Sequence, residues 1–311
     1  MKNNRITTYS GKTTDRMKLL KTIITTALLI VTTLGWSQQE TTITQFSQFM
    51  NVINPAYAGA TNQSTLSTAI RSQWTGVDEA PETQFLAFST GLRKNVGIGF
   101  SAHNDRTFVE KQSSVALDFS YRLQVASTGY LHFGLKASGN FYNVNAAGLQ
   151  TYGVTQDPSL ANINQFSPNI GVGFYYVQDA LQLSFAMPRL LSSERTSAEN
   201  GLATISSSRP HLYATASYNI ELNNTQGITL QPALLFRYVS GAPVVVDLNT
   251  MLKFEQGFAF GGSYRSNNAY AAMANLTVNS KMTLGFAYEM NGRAELASLA
   301  NTNEILIKYT F

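Results

Sequence analysis

The sequence has no cysteine in its 311 residues, and only 13% of them are charged. Disulfide scaffolds, zinc–thiolate centres and cysteine nucleophiles are therefore excluded. Charged residues make up about 25% of an ordinary soluble domain, so this chain carries roughly half the usual share. Long apolar runs are also scarce: the mean hydropathy of −0.08 excludes a bundle of membrane-spanning helices. Aromatic residues, by contrast, make up 11% of the chain. Low charge, many aromatics and neutral hydropathy occur together in a transmembrane β-barrel. Its strands turn half their side chains to lipid and half to a polar lumen, so the average cancels.

Residues 1–37 have the layout of an export signal. Lys2, Arg5, Lys12, Arg16, Lys18 and Lys21 precede an apolar run over 22–36, and Gly35 and Ser37 are small residues of the kind a signal peptidase reads. The run is short and rich in Thr for a span of about 20 residues; an uncleaved anchor is the alternative, and Met17 is a second candidate start. Removal of 1–37 takes six basic residues and one acid, Asp15, from the totals of 22 and 18, leaving 16 and 17 and a net charge of −1. The basic balance of the whole chain is thus no argument for nucleic acid. No cysteine stands at the cleavage site to carry a lipid.

From about residue 65 the dominant period is two, the period of a strand. Val115, Leu117, Phe119, Tyr121 and Leu123 alternate with Ala116, Asp118, Ser120, Arg122 and Gln124. The same rhythm returns at Leu131, Phe133 and Leu135, at Met282, Leu284, Phe286 and Tyr288, and at Ile305, Ile307, Tyr309 and Phe311. The chain read this way predicts an all-β, antiparallel transmembrane barrel of about 14 strands. They fall near 65–74, 83–92, 96–104, 112–124, 129–141, 167–177, 180–187, 210–221, 227–239, 243–254, 257–265, 269–278, 281–290 and 303–311. Links after the even-numbered strands are short, and the long ones, 142–166, 187–209 and 291–302, all fall in the other class. Tight periplasmic turns, longer outer loops and an even count put both termini in the periplasm. The organisation expected is a signal peptide at 1–37, a periplasmic leader or plug at 38–64 and a barrel at 65–311.

Cost assigns the faces. A Lys or Arg facing lipid at the midplane costs about 2–4 kcal/mol. Turning Arg71, Asp118, Arg122, Lys136, Asp247, Lys253, Arg265, Glu289 and Lys308 inward avoids that cost at every site. Similar numbers of cations and anions inside predict ion pairs and a plugged or narrow lumen. A soluble sandwich with the same rows facing a core is the alternative, but strand count and length exceed what it needs.

The region ahead of the first strand carries Gln45-Phe46-Ser47-Gln48-Phe49-Met50 and then Asn54-Pro55-Ala56-Tyr57-Ala58-Gly59. Arg71-Ser72-Gln73-Trp74-Thr75-Gly76 and Ala80-Pro81-Glu82-Thr83 follow, then Gly262-Ser263-Tyr264-Arg265 and the closing Asn303-Glu304-Ile305 and Tyr309-Thr310-Phe311. In order and spacing this resembles the PorP/SprF family of outer-membrane proteins tied to type IX secretion and gliding motility in Bacteroidota. The resemblance runs from Gln45 to Phe311; Asp78-Glu79 departs from the Gly more usual before Ala-Pro. It implies a barrel whose partners are type IX components in the periplasm or outer membrane, the C-terminal sorting domain of a secreted adhesin, and lipid.

Gln45, Gln48, Asn54, Pro55, Tyr57, Gly59 and Trp74 are the partner-binding candidates. The leader reads equally as a docking strip or as turns leading the chain into the wall, and Trp74 as a girdle residue. His103, His132 and His211 fall in the inward register without the Ser/Asp arrangement that a lipase needs. No phosphate loop or metal-ligand spacing is present. Gly97, Gly99, Gly171 and Gly173 read as kinks or packing sites in the wall. The expectation is a non-enzyme without a cofactor, with a channel as the alternative function.

Overall fold

The computed structural model describes residues 42–61, 63–92, 95–145, 163–199, 202–223, 226–292 and 301–311; the expected signal peptide lies outside them. Among the described residues seventeen strands follow in chain order. They are β1 (Thr65–Gln73), β2 (Glu82–Gly91), β3 (Val96–Thr107), β4 (Glu110–Gln124), β5 (Gly129–Val144) and β6 (Ile163–Gln178). Next come β7 (Leu181–Met187), β8 (Ser193–Glu199), β9 (Leu202–Ser208), β10 (His211–Tyr218), β11 (Ile220–Asn223) and β12 (Ile228–Val239). The last are β13 (Val245–Lys253), β14 (Phe258–Arg265), β15 (Ala269–Val278), β16 (Met282–Asn291) and β17 (Thr302–Thr310).

In the main sheet β1 to β7 and β11 to β17 pair antiparallel in sequence, β10 joins β7 to β12, and β17 returns to β1, so the sheet closes on itself. β10 and β11 share one place in the wall: both follow one register on β12, Ser217 opposite Ala233 and Ile220 opposite Leu230. The break between them faces Pro232, which has no N–H to give the ladder. The ring therefore has 14 positions, and closure leaves no exposed edge along it. The wall begins at Thr65 and ends at Thr310, which lie opposite each other, so both of its ends are at the same rim.

Tight turns at that rim use residues that tolerate a left-handed backbone: Asn95, Asp179 and Asn279 have φ of 65°, 49° and 52°. The other rim differs from the sequence expectation. β4, β5 and β6 run 15, 16 and 16 residues, several beyond the predicted ends. The stretch 188–209, read as a loop, contains the β8–β9 hairpin as a separate two-stranded sheet.

Alternation sets the faces. Leu117 is 65% exposed and Ile305 59%, while their neighbours Asp118 and Glu304 are 4% and 1% exposed. The large apolar rows look outward all round the cylinder. The interior, however, is not polar throughout, as the sequence reading supposed. Residues 42–61 lie within the ring, touching strands on all sides of it, and bring their own apolar side chains. Ile43 and Phe49 pack on Ala69, Phe85, Ala87 and Leu306; Phe46 and Met50 pack on Tyr213 and Leu235. A greasy insert requires apolar patches on the inner wall, which is why Phe85 and Leu235 point inward.

Candidate functional site

The inner segment descends through the cylinder as three single turns: Phe46–Gln48, Met50–Ile53 and Pro55–Tyr57. It starts beside Arg71, Glu289 and Glu304 near the long-loop rim. It finishes beside Ser89, Thr90 and Gly97 near the short-turn rim. Turns this short have few internal hydrogen bonds, so the wall supplies the rest.

On one side the wall does this with charge. The Glu304 carboxylate accepts from two successive backbone amides, Thr44 N at 2.8 Å and Gln45 N at 3.1 Å. The Arg71 Nη1 donates to Thr44 Oγ1 at 2.7 Å, and that hydroxyl donates to Glu289 Oε2 at 3.0 Å. Asn249 Nδ2 donates to the Thr44 carbonyl at 3.1 Å. Behind these contacts runs a ladder of ion pairs: Arg71–Glu289 at 2.9 Å, Arg71–Glu304 at 3.5 Å, Arg265–Glu289 at 3.1 Å, Arg265–Asp247 at 2.5 Å and Arg237–Asp247 at 2.6 Å. Buried charges hold such positions only when paired and hydrogen-bonded, and here the inner segment provides part of the bonding.

On the other side the wall makes room. A Cβ on Gly134 would stand 2.0 Å from Ala56 N, on Gly97 2.0 Å from the Ala58 carbonyl oxygen, and on Gly173 2.0 Å from Asn54 Oδ1. Of the four glycines read as kinks or packing sites, Gly97 and Gly173 thus let backbone meet backbone or a short side chain, Gly99 lies against Ala58, and Gly171 against Pro188. Gly59 itself has φ +64° and lies against Gly91 and Gly97, so a side chain there would be strained and obstructed alike. Polar contacts complete this side. Asn54 Oδ1 accepts from Ala56 N at 2.9 Å while its Nδ2 donates to the Phe174 carbonyl at 2.9 Å. Lys136, paired with Asp118 at 2.9 Å, donates to the Asn51 carbonyl at 3.0 Å, and Ser120 Oγ donates to the Ala58 carbonyl.

Among the candidates in the leader, Gln45, Asn54 and Pro55 are buried against the wall. Gln48 Oε1 accepts from Lys308 Nζ at 3.3 Å, Tyr57 donates to Gln182 Oε1 at 3.2 Å with its ring 4.3 Å from that of Tyr175, and Gly59 N donates to Ser89 Oγ at 2.8 Å. Trp74 stands apart, in the turn after β1 with φ 50°, and is 45% exposed. Of the charged candidates, Arg71, Asp118, Lys136, Asp247, Arg265 and Glu289 are buried and paired. Arg122, Lys253 and Lys308 are only partly buried and lie toward the short-turn rim. Arg122 donates to Asn95 Oδ1 at 3.1 Å and lies over the Tyr130 ring at 5.2 Å rather than joining the network.

Two members of the network, Glu304 and Arg237, were not among the predicted ion-pair residues. Glu304 was within reach, since Ile305, Ile307 and Tyr309 outward put it inward. Arg237 was not, because β12 is apolar on both faces around it. No group of three or more His, Asp or Glu suited to a metal occurs among the described residues.

The fold has solved counterparts. The chain is similar to a TodX monoaromatic hydrocarbon channel (a deltaS2S3 mutant) at 11% identity and TM-score 0.51, over 83% of this chain and 93% of that one. The CymD monoaromatic hydrocarbon channel aligns at 11% identity and TM-score 0.50, over 85% and 91%. The Acinetobacter baumannii outer membrane protein Omp33 aligns at 8% identity and TM-score 0.48, over 81% of this chain and 100% of its own. At such identities the two channels establish the fold alone, an outer-membrane β-barrel. No curated protein matches the chain. The profile described as "Type IX secretion system membrane protein PorP/SprF" matches residues 36–309, nearly the whole length. A barrel of this build, in the outer membrane and carrying that signature over residues 36–309, belongs to the PorP/SprF family of type IX secretion system membrane proteins.

Proposed function

We propose that the protein is a non-catalytic anchor of type IX secretion. Residues 42–61 act as a fixed plug, and the barrel binds either machine components or the C-terminal sorting domain of a secreted protein. In this reading residues 1–37 are removed on export, and the rim carrying Thr65 and Phe311 faces the periplasm. The opposite rim, with the β8–β9 hairpin and the long links, faces outward and offers the binding surface. The observation that carries the reading is the double grip on the inner segment. Ion-paired carboxylates hold it on one side and glycines admit its backbone on the other, which suits a permanent filling better than a gate. Deletion of the gene is expected to abolish surface display of at least one sorting-domain protein, and restoring the gene is expected to return it. Normal display of all of them in the deletion strain sinks the proposal.

A channel is the second reading, favoured by the likeness to TodX and CymD, both named as hydrocarbon channels. Planar-bilayer recording separates the two: the anchor gives no steady current, and a channel conducts.

A further inference from the structure

A cavity lies inside the cylinder near the long-loop rim. Its floor is the top of the inner segment, Ile43, Phe46 and Val52, and Phe85 and Leu235 extend the apolar surface up the wall. Three cations look into it, Lys136, Arg189 and Arg237, and no Asp or Glu is among its lining residues. Asp118 and Asp247, which pair with Lys136 and Arg237, are not part of that lining, so each pair presents its positive end to the space. Two buried donors on the lining have no hydrogen-bond partner, Ser138 Oγ and Arg237 Nε. An unmade hydrogen bond of a buried group is costly, and a ligand with acceptor oxygens removes that cost.

From this arrangement we infer that the cavity is a binding site for a small organic carboxylate with an apolar body. The carboxylate lies between Lys136, Ser138 and Arg237, with Arg189 at the mouth, and the apolar body rests on Ile43, Phe46 and Leu235. The site is independent of which partner the outer rim binds.

The full mature barrel in lipid nanodiscs provides the test, with saturation-transfer NMR of three water-soluble probes: 2-naphthoate, the neutral naphthalene-2-methanol, and inorganic phosphate. The naphthoate is expected to bind saturably and about tenfold or more tighter than the alcohol, the loss that follows when charge-assisted hydrogen bonds are removed. Phosphate alone is expected to bind more weakly than naphthoate. Ala116→Phe, which fills the space from the wall, is expected to abolish naphthoate binding. Ser138→Ala and Arg189→Gln change little volume, so they keep the test open should the larger substitution fail to fold, and each is expected to weaken binding severalfold. Absence of saturable binding, equal binding of naphthoate and alcohol, phosphate binding as tightly as naphthoate, or naphthoate binding unchanged by all three variants overturns the assignment.

Discussion

The two halves of the wall hold the same inner segment by opposite means. Around β1, β13, β16 and β17 the grip is electrostatic, with Glu304, Glu289 and Arg71 reaching Thr44 and Gln45. Around β3, β5 and β6 it is steric, with Gly97, Gly134 and Gly173 letting the segment approach to contact. Charge fixes position along the cylinder axis, since the two amides bound by Glu304 define one height. Glycine contacts fix distance from the wall. Together they leave the segment little freedom in either direction.

The electrostatic half should break most severely. Glu304→Ala leaves Arg71 with one carboxylate in place of two and strands two buried amides, so a loss of about 3–5 kcal/mol is expected. Thermal unfolding followed by the heat-dependent gel mobility of the barrel measures it; a shift no larger than that of a lipid-facing control counts against the network. Gly134→Val is the matching blow to the steric half, expected to cost about 1–3 kcal/mol and to expel the segment locally. Limited proteolysis within 42–61 should accelerate in this variant and stay at the wild-type rate in Gly262→Val, where the nearest atom to an added Cβ is 3.6 Å away. Asn54→Ala removes a turn-capping acceptor and a bond to the Phe174 carbonyl, for about 1 kcal/mol. Lys308→Ala, which loses a partly buried contact to Gln48, should change stability by less than about 1 kcal/mol. If Lys308→Ala matches Glu304→Ala in effect, the ranking by burial fails.

The wall was largely legible in the sequence, for a physical reason. Lipid on one side and a filled lumen on the other force strict alternation, as in β4, β5, β16 and β17, and the count of 14 follows once the turns are placed. What alternation cannot express is the content of the lumen. It separates two faces without saying that Phe85 and Leu235 meet other apolar side chains inside, because their partners Phe49 and Phe46 come from a segment some 40–190 residues away in the chain. Asn54-Pro55 and Ala58-Gly59 show the same limit. Local rules read them as turns, which they are, but the glycines that receive them are on strands about 40–120 residues further along the chain, at 97, 134 and 173. The β8–β9 hairpin escaped for a different cause, since Ser-rich stretches carry little β-propensity of their own.

Arg71 and Glu304 face each other directly across the junction of β1 and β17, and both also bind Thr44. The first and last staves of the cylinder are therefore fastened through one residue of the inner segment. Removing the insert is therefore expected to weaken that join as well as to empty the lumen.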